Sequence, residues 1–163
     1  MARKTGDKNE VSAYDKALTL LVRREHSARE LKSKLTRRGF DAAESAASIQ
    51  RLQSKDFQND ARFGEMLVRS RIAGGYGPRW IVAELKTHGI AETSARELIE
   101  AAQPDWPALI RSQLRRRYGT KPAANLAERS KRAIFLVRRG FDAATVQSIT
   151  RAEGVDVSAD ELD

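Results

Sequence analysis

The sequence contains no cysteine. That excludes a disulfide framework and any thiolate-bound metal or redox centre. Two histidines with no cysteine beside them are too few ligands for a zinc enzyme. Aromatic residues make up only 6% of the chain, which supplies a single-strand stacking platform poorly. No run of about 18 apolar residues is present, so no membrane span is expected. The first residues, Met1 to Glu10, are polar and lack the apolar core of a secretory signal, which points to a cytoplasmic protein. β-Branched residues nowhere alternate with polar ones for long enough to suggest a strand.

What the chain has in abundance is charge. Charged residues make up 32%, and 30 Lys and Arg face 22 Asp and Glu, a net charge of +8. A chain this basic is drawn to polyanions, either nucleic acid or an acidic protein face. The charge is unevenly placed. Residues 1–10, read as a flexible N-terminus, carry 3 basic and 2 acidic side chains. Residues 11–54 are net +4, residues 55–103 are neutral, and residues 104–154 are net +7. Residues 155–163 form an acidic tail with 4 carboxylates and no cation. Such polarity suggests that one end of the molecule faces a polyanion.

A repeat organises the chain. Arg37-Arg38-Gly39-Phe40-Asp41-Ala42-Ala43 recurs as Arg138-Arg139-Gly140-Phe141-Asp142-Ala143-Ala144. Midway lies Thr87-His88-Gly89-Ile90-Ala91-Glu92. Leu35, Leu85 and Leu136 each stand four residues before the glycine, and Ile49, Ile99 and Ile149 follow it. Within each unit the apolar residues fall at helical spacing. In the first unit Leu18, Leu21 and Val22 predict one stripe, Leu31 and Leu35 a second, Ile49 and Leu52 a third. Ser27 with Glu30 reads as a capping box. Gly39 reads as a left-handed C-cap followed by the apolar Phe40, and Asp41 as the next N-cap. In the second unit Phe63, Met66 and Leu67 precede a restart at Gly77-Pro78, with Ile81 and Leu85 on its inner face. In the third, helices are expected from Trp106-Pro107, from about Leu126 to Arg139, and from Asp142 to Ala152. The expected fold is all-α: three tandem three-helix repeats at 11–54, 55–103 and 104–154, stacked into an elongated, curved body.

Several motifs carry two readings. A glycine turn between short helices also occurs in DNA-binding helix-turn-helix units. The helices after Gly39, Gly89 and Gly140 begin with acids and small residues, which suits packing better than base readout. Gly74-Gly75-Tyr76-Gly77-Pro78 lacks the Lys-Ser or Lys-Thr of a phosphate loop and reads as a helix stop, turn and restart. Tyr76 in that turn is a candidate contact for a partner. Arg37, Arg38, Arg138 and Arg139 sit where cations complement a helix dipole. Arg115-Arg116-Arg117 fans around too much of a helix for that explanation, and Lys131-Arg132 adds to the same unit. Arg115, Arg116, Arg117, Lys131 and Arg132 are therefore the candidate partner-facing cations. His26 and His88 read as surface residues, each four positions from a Glu. No catalytic, cofactor or metal grouping can be argued, and a non-enzymatic monomer is expected.

The run Phe63-x3-Leu67, Arg71-Ile72-x2-Gly75-x-Gly77-Pro78-x2-Ile81-x2-Glu84-Leu85-x3-Gly89-Ile90 resembles the central signature of the RecX regulatory proteins. Ala17-Leu18-x2-Leu21, Arg24, Ser27, Glu30-Leu31-x3-Leu35-x3-Gly39 and Leu136-x2-Arg139-Gly140-Phe141 agree in the outer units. Gly74 and Trp80 depart from the basic residues expected around the glycine turn. The resemblance spans about residues 12–152. It implies tandem three-helix repeats, no cofactor, and binding to the RecA recombinase filament on single-stranded DNA. It further implies restraint of RecA ATPase, strand exchange and co-protease activity, and so a role in recombination, DNA repair and the SOS response. The competing reading is a general nucleic-acid-binding protein acting through its basic third repeat, and a weaker one is a protein scaffold.

Overall fold

The structure, a computed structural model, describes residues 11–155. The expected N-terminal segment 1–10 and all but the first residue of the acidic tail lie outside the described residues. Among those described there are nine helices and no strand. They are α1 Ala13–Arg23, α2 Ala28–Thr36, α3 Ala42–Ser54, α4 Asp60–Ala73, α5 Pro78–Thr87, α6 Glu92–Ala101, α7 Trp106–Tyr118, α8 Leu126–Arg138 and α9 Ala143–Val155. The chain divides between Phe63 and Gly64, inside α4, into two compact units.

Local chemistry explains where the helices begin and end. Ser12, Ser27, Asp41, Asp105 and Asn125 each accept a hydrogen bond from a backbone N–H of the first turn. These contacts satisfy donors that a helix start leaves without partners. At the other ends, Gly39, Gly89 and Gly140 adopt φ of 86°, 83° and 90°, the left-handed turn that a side chain disfavours. The amides of Phe40, Ile90 and Phe141 then return to the carbonyls of Leu35, Leu85 and Leu136. The apolar residue after each glycine is thereby folded back onto its own helix.

In the first unit α1 and α2 both pack on α3. Its core is Ala13, Ala17, Leu31, Leu35, Ile49 and Leu52. The stripe expected from Leu18, Leu21 and Val22 is rotated. Val22 is 79% exposed, while Ala13 and Ala17 are fully buried. Two alanines one turn apart leave space for the facing helix to come close, so the small side chains, not the largest, mark the inner face. His26 also departs from its surface assignment and is 2% exposed. Its Nδ1 lies 3.1 Å from Glu30. Burial lowers its pKa, which keeps the ring neutral near physiological pH. Glu30 is shared with Arg24 and Lys34. Burial alone would raise its carboxyl, but hydrogen bonds from Arg24, His26 and Lys34 together hold it at about 2.

In the second unit α7 and α8 pack on α9 around Ile110, Leu114, Leu136, Phe141, Val146 and Ile149. The α5–α6 pair buries Ile81, Leu85, Ala95 and Ile99. Repeats two and three are joined through their glycine turns. The Gly77 amide donates to the Arg139 carbonyl at 2.8 Å, and the Arg79 amide to the Gly140 carbonyl at 3.0 Å. A Cβ on Gly77 would collide with the Phe141 amide, and one on Gly140 with the Trp80 backbone. Both glycines therefore serve close backbone approach, which the turn reading of Gly74 to Pro78 leaves unexplained.

Candidate functional site

The candidate cations occupy the last turn of α7 and the first half of α8. Asp105 caps α7, and Gly119 ends it at φ 74°. With Ile110 and Leu114 turned inward, Arg115, Arg116 and Arg117 all reach solvent. Lys131 is exposed on α8. Arg132 is not. It is 5% exposed, its guanidinium donates to the Lys121 carbonyl at 3.0 Å, and it pairs with Glu128 at 2.5 Å. Its place among solvated, partner-facing cations is corrected on that ground: it ties the 119–125 connection to α8. The Glu128 carboxyl is held below its ordinary range by the Ala124 amide and then by Arg132.

Arg117 and Arg132 belong to an alternating stack of cations and rings. Arg132 lies 4.9 Å from the centre of the Tyr118 ring, and Arg117 lies 5.7 Å from it. Arg117 also covers Phe135 at 4.4 Å, and Tyr118 meets Phe135 edge-on at 6.0 Å. Arg139 lies 5.5 Å from Phe135 and 4.5 Å from Tyr76. Tyr76 then stacks on Trp80 at 5.0 Å. Cation–ring contacts of this kind contribute about 0.5–1 kcal/mol each where exposed. The stack thus brings Tyr76, Arg117 and Arg132 into one continuous feature. Tyr76 is half-buried within it, and Trp80, 45% exposed, forms its outer end. Arg139 is fixed further by hydrogen bonds to the Gly75 and Gly74 carbonyls at 2.8 and 2.7 Å. Sequence reasoning does not find Tyr118, Phe135 and Arg139 as site residues. The available signal is Tyr118 directly after the Arg115–Arg117 run and Phe135 three residues from both Arg132 and Arg138, but only folding shows that the rings meet.

Arg115 turns away from the stack, into a cleft of about 280 Å³ that it lines with Arg111 and Lys121. Among the described residues Arg111, Arg115, Arg116, Arg117, Lys121 and Lys131 make no ion pair with a carboxylate. The second repeat differs. Arg69 pairs with Glu65, Arg71 with Glu84, Arg79 with Asp142, and both Lys86 and Arg96 with Glu92. These cations of repeat two are thus paired one by one, Arg79 with a carboxylate of repeat three, whereas among the described residues those of repeat three outnumber the carboxylates near them, Glu153 lining the cleft of Arg111, Arg115 and Lys121. Among the described residues no helix is long and apolar enough to cross a membrane, and no group of three acidic or imidazole ligands could hold a metal.

Fold and site define an all-α helical-repeat protein whose third repeat carries a cationic face that makes no ion pair among the described residues. A family model for the first three-helix domain of RecX matches residues 13–52, and one for the second three-helix domain matches residues 59–102. The Regulatory protein RecX of Stenotrophomonas maltophilia (strain R551-3) is 42% identical over 147 residues, 90% of each chain. That of Xanthomonas oryzae pv. oryzae (strain MAFF 311018) is 41% identical over 142 residues, 87% of this chain and 89% of the other. The crystal structure of RecX from Lactobacillus salivarius shares the fold, with a TM-score of 0.70 at 21% identity over 88% of this chain and 95% of that one. The chain belongs to the RecX family of regulatory proteins.

Proposed function

We propose that this protein binds the RecA filament on single-stranded DNA and restrains its ATPase, strand exchange and co-protease activity, acting as a monomer without a cofactor. The observation that carries the reading, beside family membership, is the set of cations on repeat three that make no ion pair among the described residues. A nucleoprotein filament offers both phosphates and acidic protein surface, and either releases bound counterions when such a face docks. Arg115, Arg116, Arg117 and Lys131 are the residues assigned to that contact. Tyr76 contributes by holding Arg139 and the stack in place.

The test compares three ligands at physiological salt: RecA filaments on single-stranded DNA, RecA alone, and naked DNA. Preferential binding to the filament with inhibition of RecA ATPase is expected. Arg115→Ala, Arg116→Ala and Lys131→Ala combined should weaken inhibition. The logarithmic salt dependence should flatten by about one unit for each phosphate that is no longer neutralised. Equal affinity for naked DNA and filament, with no effect on ATPase, would favour a general nucleic-acid-binding protein.

A further inference from the structure

The internal repeat compares each surface of this chain with its own counterpart, and one surface differs. In repeat two, α5 and α6 form a groove of about 910 Å³ whose lining includes Val82, Ala83, Ile99 and Glu100. Trp106 and Asp142 of repeat three border it, and Asp142 reaches Arg79 at 3.4 Å. Counted from Gly89 and Gly140, the same positions of repeat three are Ala133, Ile134, Thr150 and Arg151. These four also line a groove, between α8 and α9, of about 380 Å³. The groove that receives the next repeat in repeat two thus recurs in repeat three, where no further repeat is described to border it.

A repeat face that nothing stacks on is ordinarily polar. The outer side of α8 is not. Leu126, Ile134 and Val137 are 67%, 52% and 38% exposed along one side of α8. The positions matching Ile134 and Val137 are Ser33 and Thr36 in repeat one, and Ala83 and Lys86 in repeat two. The charge of the rim has changed as well. In repeat two Arg79, Lys86 and Arg96 balance Glu92, Glu100 and Asp142. In repeat three Glu92 and Glu100 are replaced by Ala143 and Arg151, the three cations by Ser130, Val137 and Gln147, and Arg129 is added, which leaves two cations. Among the described residues no carboxylate lines the repeat-three groove. On its floor the Thr150 hydroxyl donates to the Val146 carbonyl at 2.9 Å, so that donor is already satisfied.

We infer that the α8–α9 groove of the third repeat is a docking site for a protein segment that is helical, presents apolar anchors at i, i+4 spacing, and carries acidic flanks. The aliphatic floor takes the anchors, and Arg129 and Arg151 take the carboxylates. A polynucleotide fits less well, because the groove lining offers no ring for a base to stack on. This site is separate from the cationic end of α7 and does not depend on what binds there.

The test uses the full chain and a fluorescent helical peptide of about 16 residues. The peptide has one Trp and two Leu at i, i+4 and i+7, with Glu at the remaining flanks. Saturable binding below about 1 mM is expected. It should weaken at least about tenfold with Ile134→Ser/Val137→Thr, which copies repeat one, and with Arg151→Glu. It should not change with Arg96→Ala in repeat two. The substituted positions are exposed, and circular dichroism confirms that the variants stay folded. Absence of saturable binding, or binding indifferent to Ile134→Ser/Val137→Thr, overturns the inference. So does binding of an oligothymidylate that those substitutions abolish, or a concentration-dependent dimer that they dissociate. The first would make the groove a nucleic-acid surface and the second a self-association surface.

Discussion

Gly39 and Gly140 end equivalent helices with nearly the same backbone angle, so alanine at each separates two costs. At Gly39 a Cβ meets nothing within 4 Å. Gly39→Ala therefore loses only the left-handed preference, about 1–2 kcal/mol. At Gly140 the Cβ strikes the Trp80 backbone, which cannot be moved by a rotamer change. Relief requires the α8–α9 turn to withdraw from the start of α5. That stretches the bonds from Gly77 to the Arg139 carbonyl and from Arg79 to the Gly140 carbonyl. Gly77 and Gly140 are buried, so each bond broken adds about 1–3 kcal/mol. With both bonds lost, Gly140→Ala should then cost about 3–8 kcal/mol in total. Trp80 and Trp106 are the only tryptophans, and both lie in the second unit, so their fluorescence follows that unit during urea unfolding. With a slope of about 1–3 kcal/mol per molar urea, the Gly140→Ala midpoint should fall by about 1 M or more. Equal losses for Gly140→Ala by this fluorescence and for Gly39→Ala by hydrogen exchange of the first unit's helices would refute the contact between the turns.

Acid should weaken the first unit in two stages. His26 has a lowered pKa when folded, so its contribution is complete above 6.5 and declines as pH falls below that value. Glu30 contributes above 4.5 and loses up to about 3 kcal/mol as pH falls toward 2. Hydrogen exchange of α2 amides across pH 7 to 3 follows both stages, and Glu30→Gln should remove the lower one. Arg132→Ala should destabilise the third repeat by about 1–3 kcal/mol, because it leaves the Lys121 carbonyl without its partner and Glu128 with the Ala124 amide alone. Arg116→Ala should stay within about 0.5 kcal/mol. Thermal unfolding of the two variants side by side checks the contrast, and equal stability would mean that Arg132 is not held as described.

Helix positions and their ends are legible in the sequence because their causes are local. A capping side chain acts within three residues, a glycine turn within five, and the apolar spacing of a helix within two turns. The repeat makes the same rules visible three times, and a polarised charge can be read without any fold. What escapes depends on which faces neighbours cover. Val22 is more apolar than Ala13 or Ala17, yet the close approach to α3 buries the alanines and leaves valine in water. His26 and Glu30 look like an ordinary surface pair until the start of α4 closes over α2, where Asp60 accepts from Ala28 at 3.0 Å and Gln58 donates to the His26 carbonyl at 3.1 Å. Lys131 and Arg132 are consecutive cations that the sequence cannot tell apart, yet Lys131 stays exposed on α8 while Arg132 turns inward. Adjacent side chains on a helix point about 100° apart, and only the packing of α8 against the end of α7 and the 119–125 connection decides which one meets Tyr118 and the Lys121 carbonyl and which remains for a partner.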